Sequence, residues 1–186
     1  WRELEKFENQ SGADVLAIPH NGNLSNGLMF SDKTNAGKPL TRELAELRAR
    51  IEPVAEVTQI KGDGEAHPYL SPNDEFADYE TWDAANLDGT EIKKKSMLQY
   101  EYARSALRKG LQLEKKLGTN PFKFGMIGST DAHTSLAAVE EENFFGKHSG
   151  VEPEVERYKH MVIRSPMDPD LTVYGWQQAS SGYAAV

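Results

Sequence analysis

Three short apolar runs, at residues 13–19, 54–60 and 122–127, each give way within four residues to a turn that carries a histidine, a lysine or an acid. The stretches between them are too long for hairpins, and two of them carry helical patterns. Strands that alternate with helices predict parallel βα units, and such units bind ligands at the carboxyl ends of their strands. The expected fold is therefore α/β, built from parallel βα units, with His20, the 61–67 stretch and the Asp131/His133 pair on one rim.

The helical patterns are specific. Leu40, Leu44, Leu47 and Ile51 recur at intervals of four, three and four, with Thr41 placed as N-cap and Pro53 as terminator. A helix is predicted at 1–9, a longer one at 96–117 closed by Gly118, and another at 135–145 closed by Gly146. Gly110 falls on the packed face of the second, which predicts a close helix-to-strand approach. Residues 21–39 read as a long loop with a helical turn near 27–30. Pro68 and Pro72 forbid a long helix in 61–78.

Composition narrows the chemistry. The 186 residues suffice for one domain, 1–186, and carry a formal charge of −8 with dispersed acids, which disfavours a nucleic-acid surface. Without cysteine there is no thiolate nucleophile or Cys-type zinc site, so any metal falls to His and carboxylate. The lack of cysteine suits an oxidising compartment, and a periplasmic or secreted location is slightly favoured. No apolar stretch approaches the length of a membrane span. The chain starts on Trp1 and finishes on an apolar run, and is read as an internal piece of a longer protein.

Gly128-Ser129-Thr130-Asp131-Ala132-His133 is the segment richest in chemistry. In extended backbone, residues two apart point the same way, so Asp131 and His133 can reach one ion or two neighbouring ions, with Gly128 and Ser129 leaving room for a ligand. The plain alternative is a loop whose Asp caps the following helix. His20, in Ile18-Pro19-His20-Asn21-Gly22-Asn23, ends a second run in the same manner.

Those two motifs, together with Glu56-Val57-Thr58-Gln59-Ile60-Lys61-Gly62-Asp63-Gly64-Glu65-Ala66-His67-Pro68 and Asp74-Glu75-Phe76-Ala77-Asp78-Tyr79-Glu80, resemble a bacterial domain-of-unknown-function family that looks related to the PHP (polymerase and histidinol phosphatase) superfamily of metal-dependent phosphoesterases. The resemblance covers nearly the whole chain. It implies part of a distorted (β/α)7 barrel, a cluster of two divalent ions (Mn, Zn or Fe), and hydrolysis of phosphate, phosphonate or sulfate esters. His20, Asp131 and His133 become metal ligands by resemblance, and Asn21, in the same motif as His20, a substrate-binding residue. The His-x-His strand and further His and Glu ligands of PHP enzymes are not found here, so a preceding segment of the same protein is expected to complete the site. The last motif reads Ser-Thr-Asp where the family pattern has Gly-Ser-Asp.

With such ions in place, a shared water is acidified and the oxygens of the transferring group are clamped. Lys61 is then the expected charge stabiliser, His67 the leaving-group acid, and Glu65 (ahead of Asp63) an acceptor behind the reacting groups. Glu56 is a candidate ligand or a partner for Lys61. His148 and His160 read as surface residues, Asn23-Leu24-Ser25 as a chance sequon, and Trp82, Tyr174 and Trp176 as packing residues. The expected substrate is a small anionic ester. The competing readings are a non-catalytic barrel piece that binds an anionic ligand or a partner, and amidohydrolase-like cleavage of a C–N bond.

Overall fold

The computed structural model describes residues 1–133 and 155–178. Helix α1 (Arg2–Ser11) ends at Gly12, whose φ of 72° lets its N–H return to Glu8 O. Helix α2 (Arg42–Ile51) begins as the sequence predicts, with the Thr41 hydroxyl accepting from Leu44 N, and ends before Pro53. Strand β1 (Val54–Gln59) follows and turns back at once into β2 (Gly62–Asp63).

The 96–117 helix is interrupted. It forms as α3 (Lys95–Leu98) and α4 (Ala103–Leu117), with Gly118 left-handed at the end. The break has a hydrogen-bonding cause: Ala103 N and Arg104 N donate to the carbonyls of Gly64 and Glu65, so α4 starts where the segment after β2 can satisfy its first free N–H groups. Strand β3 (Gly125–Gly128) then pairs with β1 in parallel, Ala55 opposite Met126 and Glu56 opposite Ile127. The first sheet has the order β2-β1-β3. A separate antiparallel pair is formed by β4 (Met161–Arg164) and β5 (Thr172–Tyr174).

Aromatic packing holds α4 to β1. Phe30 meets Phe122 edge-on with centroids 5.9 Å apart and Phe124 at 5.5 Å, and the three close over Ala55, Ala103, Ala106 and Leu113. Arg48 is buried against this cluster, its guanidinium 4.6 Å from the Phe122 ring centre and bonded to Glu52 and to Met29 O. No helix among the described residues is long and apolar enough to cross a membrane.

The barrel expectation is overturned. Among the described residues only β1 and β3 are parallel, the two sheets have three strands and two, and no barrel closes, so these residues do not form a (β/α)7 fold. Two local causes are visible. The 13–19 run forms no strand: Leu16 and Ile18 are exposed, Pro19 has no N–H to give, and its backbone toward α2 and β1 is tied by Ala17 N to Ile51 O and Glu56 N to Pro19 O, while Val15 N turns to the Glu8 side chain. At the far end of β1, Gly62 (φ 99°) reverses the chain into an antiparallel neighbour instead of a helical crossover. The predicted helix at 135–145, and His148, lie outside the described residues.

Gly110 does mark a close approach, but to the loop after α4 and not to a strand. A Cβ there would stand 2.2 Å from Asn120 Oδ1, which accepts from Phe122 N. Gly110→Ala is expected to lower stability by about 1–2 kcal/mol, the lost loop contact outweighing the gain of about 1 kcal/mol in helix propensity. Urea denaturation of the two proteins measures it.

Candidate metal centre

The ends of β1 and β3 and the segment before β1 converge on one polar cluster. His20 Nδ1 lies 2.7 Å from Glu56 Oε2, and Glu56 Oε1 accepts from Asn21 N and from Gln59 Nε2, each at 3.2 Å. Gln59 also donates to Asn21 Oδ1 at 2.6 Å and accepts from Lys61 N at 2.9 Å. Glu56 is thus fixed by three partners, His20 among them, while Lys61, for which it was also a candidate partner, pairs with Asp131 Oδ2 instead.

On the other ring nitrogen, His20 Nε2 faces Asp131 Oδ1 at 3.9 Å, and His133 Nε2 lies 3.2 Å from the same oxygen. The sequence pairing of Asp131 with His133 therefore holds in space, though not through an extended backbone. Asp131 is left-handed, with φ 52°, and Asn21, on the opposite side of the cluster, has φ 57°. Asn and Asp tolerate this region better than other residues, and its use at two positions of one cluster is local strain concentrated at a site. Gly128 leaves room for Thr58, whose Cγ2 would lie 2.4 Å from a Cβ there, not for a ligand.

Exposure is graded across the cluster. The side chains of Lys61, Asp131 and Glu56 are 5, 14 and 15% exposed, whereas those of His20 and His133 are 47 and 53% exposed. The acids and the ammonium form the floor and the imidazoles the mouth. Burial pushes the Glu56 carboxyl up, but its hydrogen bonds with His20, Asn21 N and Gln59, with the charge of His20, outweigh burial and hold it below the ordinary carboxylate value. A depressed carboxyl contributes stability above the unfolded value of about 4.5, lost as pH falls through the lower folded value. The stability gap between the native protein and Glu56→Gln is therefore expected to be present near neutrality and to close as the pH falls below the ordinary carboxylate value, as read by urea melts across pH.

The donor set fits a divalent cation. Two imidazoles and a carboxylate suit Zn, Mn or Fe, and bonds of about 2.0–2.2 Å from one ion to Nε2 and Oδ1 leave those atoms roughly 3–4 Å apart. Glu56 on Nδ1 fixes the His20 ring so that Nε2 is the nitrogen turned toward Asp131, the carboxylate–histidine arrangement found behind metal ligands. With Lys61 seated on Asp131, no complete cation-holding group of three such side chains is formed among the described residues.

The other expected site residues lie elsewhere. Glu65 binds Arg104 at 2.7 Å, and Arg104 also holds Asp74. His67 is buried against Tyr102, with Nε2 2.9 Å from Asp83 Oδ2 and Nδ1 accepting from Tyr69 N. Burial raises the Asp63 carboxyl above its ordinary value, while its oxygens accept from Glu65 N and Ala66 N as a turn. Asn23 is buried, its amide donating to Lys61 O and Trp82 O, so the sequon is a structural tie. His160 is exposed, as expected. Gln59 is a site residue whose only signal in the sequence is an amide three residues after an acid within an apolar strand.

Comparison with curated proteins gives no match, and comparison with solved structures gives none either. The model of one family, described as Protein of unknown function (DUF3604), matches residues 1–186, and the chain belongs to that family.

Proposed function

We infer that the cluster is the metal-binding part of a hydrolase of phosphate, phosphonate or sulfate esters. The observation that carries this reading is His20, held through Nδ1 by Glu56 with Nε2 facing an Asp131 that also meets His133. In it His20, Asp131 and His133 hold a divalent ion, and the motif relation to PHP phosphoesterases rests on these residues rather than on a barrel. A bound ion there supplies Lewis acidity toward the ester oxygens and lowers the pKa of water.

The chain's own groups do the rest. Lys61, buried beside Asp131, sets a positive charge on the floor where negative charge grows on the transferring group. Asn21, its carbonyl oxygen held by Gln59, offers its amide N–H groups to the substrate. Glu56 keeps His20 oriented. His67 and Glu65 take no part, because Asp83, Tyr69 N and Arg104 engage them.

Lys61 on Asp131 favours one second reading, a non-catalytic site that binds an anion without metal. A panel of nitrophenyl phosphate, phosphonate monoester, sulfate and an anilide, each assayed with Mn, Zn or Fe and again after chelation, separates these. Metal-dependent ester turnover with an inert anilide is the expected result. Anilide turnover alone indicates C–N chemistry, and anion binding without any turnover supports the second reading.

A further inference from the structure

A cavity of about 150 Å³ lies between residues 81–89 and the β4–β5 hairpin, walled by Leu24, Ala85, Ile163, Leu171 and Val173. Its two sides are locked together. Ser165 Oγ donates to Gly89 O at 2.5 Å, and a Cβ on Gly89 would stand 2.8 Å from Ser165 Cα. The space is thus part of the fold. A cavity of that volume accommodates a benzene-sized body.

Most of its polar lining is already used. Asn86 spends its amide on Thr90 and Glu91 N, and Gln177 accepts from Tyr174 N. Two further groups on the wall matter for a cation. Thr81 lines the cavity, but its Oγ1 is buried away from the open space, with no hydrogen-bond partner among the described residues. Asp83 is also on the wall and uses only Oδ2, toward His67 Nε2. Because His67 Nδ1 accepts from Tyr69 N, the neutral ring carries its proton on Nε2 and donates it to Asp83. His67 is therefore a positioning residue that orients Asp83.

Among the described residues no Lys, Arg or His lines the cavity to offer an anion a counter-charge, whereas an ammonium finds Asp83 and the neighbouring Trp82. We propose that this cavity is a binding site for a small primary amine with an apolar body of about benzene size, its ammonium on Asp83. The ligand class is opposite in charge to the ester proposed for the metal centre, and the two sites stand or fall separately.

Calorimetric titration of the native protein with benzylamine, benzyl alcohol and benzoate at neutral pH tests it. Saturable binding of benzylamine, at least about tenfold tighter than benzyl alcohol and with no benzoate binding, is expected, since a charge-assisted hydrogen bond separates the first two. Asp83→Asn, checked for native circular dichroism, is expected to erase that preference. Benzoate binding as tightly as benzylamine, no saturable benzylamine binding, or an unchanged preference in folded Asp83→Asn overturns the proposal.

Discussion

Asp131→Ala is expected to lower kcat/KM for ester hydrolysis by about 10³-fold or more, because it takes away the carboxylate that His20, His133 and Lys61 share. Loss of several kcal/mol of transition-state charge stabilisation corresponds to that factor. Removing the acid also leaves the buried Lys61 ammonium without its partner, so stability falls as well. Asp131→Asn keeps the shape and lessens the disruption, and kinetics of the folded Asn variant isolate the chemical effect. Glu56→Gln is expected to be milder, about 10- to 100-fold, the range for outer partners of a ligating histidine. Steady-state assays at saturating metal distinguish the two tiers.

The largest effect on folding is expected at Glu101. Its side chain is fully buried, its Oε1 lies 2.6 Å from Lys93 Nζ and accepts from Gly27 N, and Lys93 also donates to Asn23 O. Burial pushes the Glu101 carboxyl above its ordinary value despite the opposing pull of Lys93 and Gly27 N, so the pair is held at a desolvation cost. Glu101→Leu alone strands a buried ammonium and is expected to cost about 3–5 kcal/mol, whereas pairing it with Lys93→Met should recover much of that loss. Guanidinium unfolding of the two single variants and the double variant measures the coupling. Additive losses in the double variant would show that the pair is not one unit.

Much of the local structure is legible in the sequence because it depends on near neighbours. The stripe of Leu40, Leu44, Leu47 and Ile51, the Thr41 cap and the left-handed Gly118 all act within a few residues, and α2 and the end of α4 form as they require. The arrangement of strands is not legible in the same way. Whether the 13–19 run pairs along β1 depends on where Pro19 and Asn21 turn the chain, and whether β1 crosses over or reverses depends on Gly62 packing under Trp82 and Glu80 O. Those contacts are distant in sequence, and an apolar run alone does not specify its partner.

The site divides likewise. His20, Asp131 and His133 carry chemistry in their side chains and stood out as letters, and the fold brings them within 3.9 Å of a shared carboxylate oxygen. Glu56, Gln59 and Asp83 act through whom they face. His67 read as a leaving-group acid because it sits beside the conspicuous Lys61-Gly62-Asp63 turn, yet its ring packs on Tyr102 and holds Asp83.

Metal content after equilibrium dialysis against Mn or Zn tests the central claim most directly, comparing the native protein with folded Asp131→Asn and His20→Ala. Retention of about one ion or more per native chain, with affinity at least about tenfold weaker in both variants, is the predicted result. Equal retention by all three proteins, or none by the native protein, would contradict the assignment of His20, Asp131 and His133 as metal ligands.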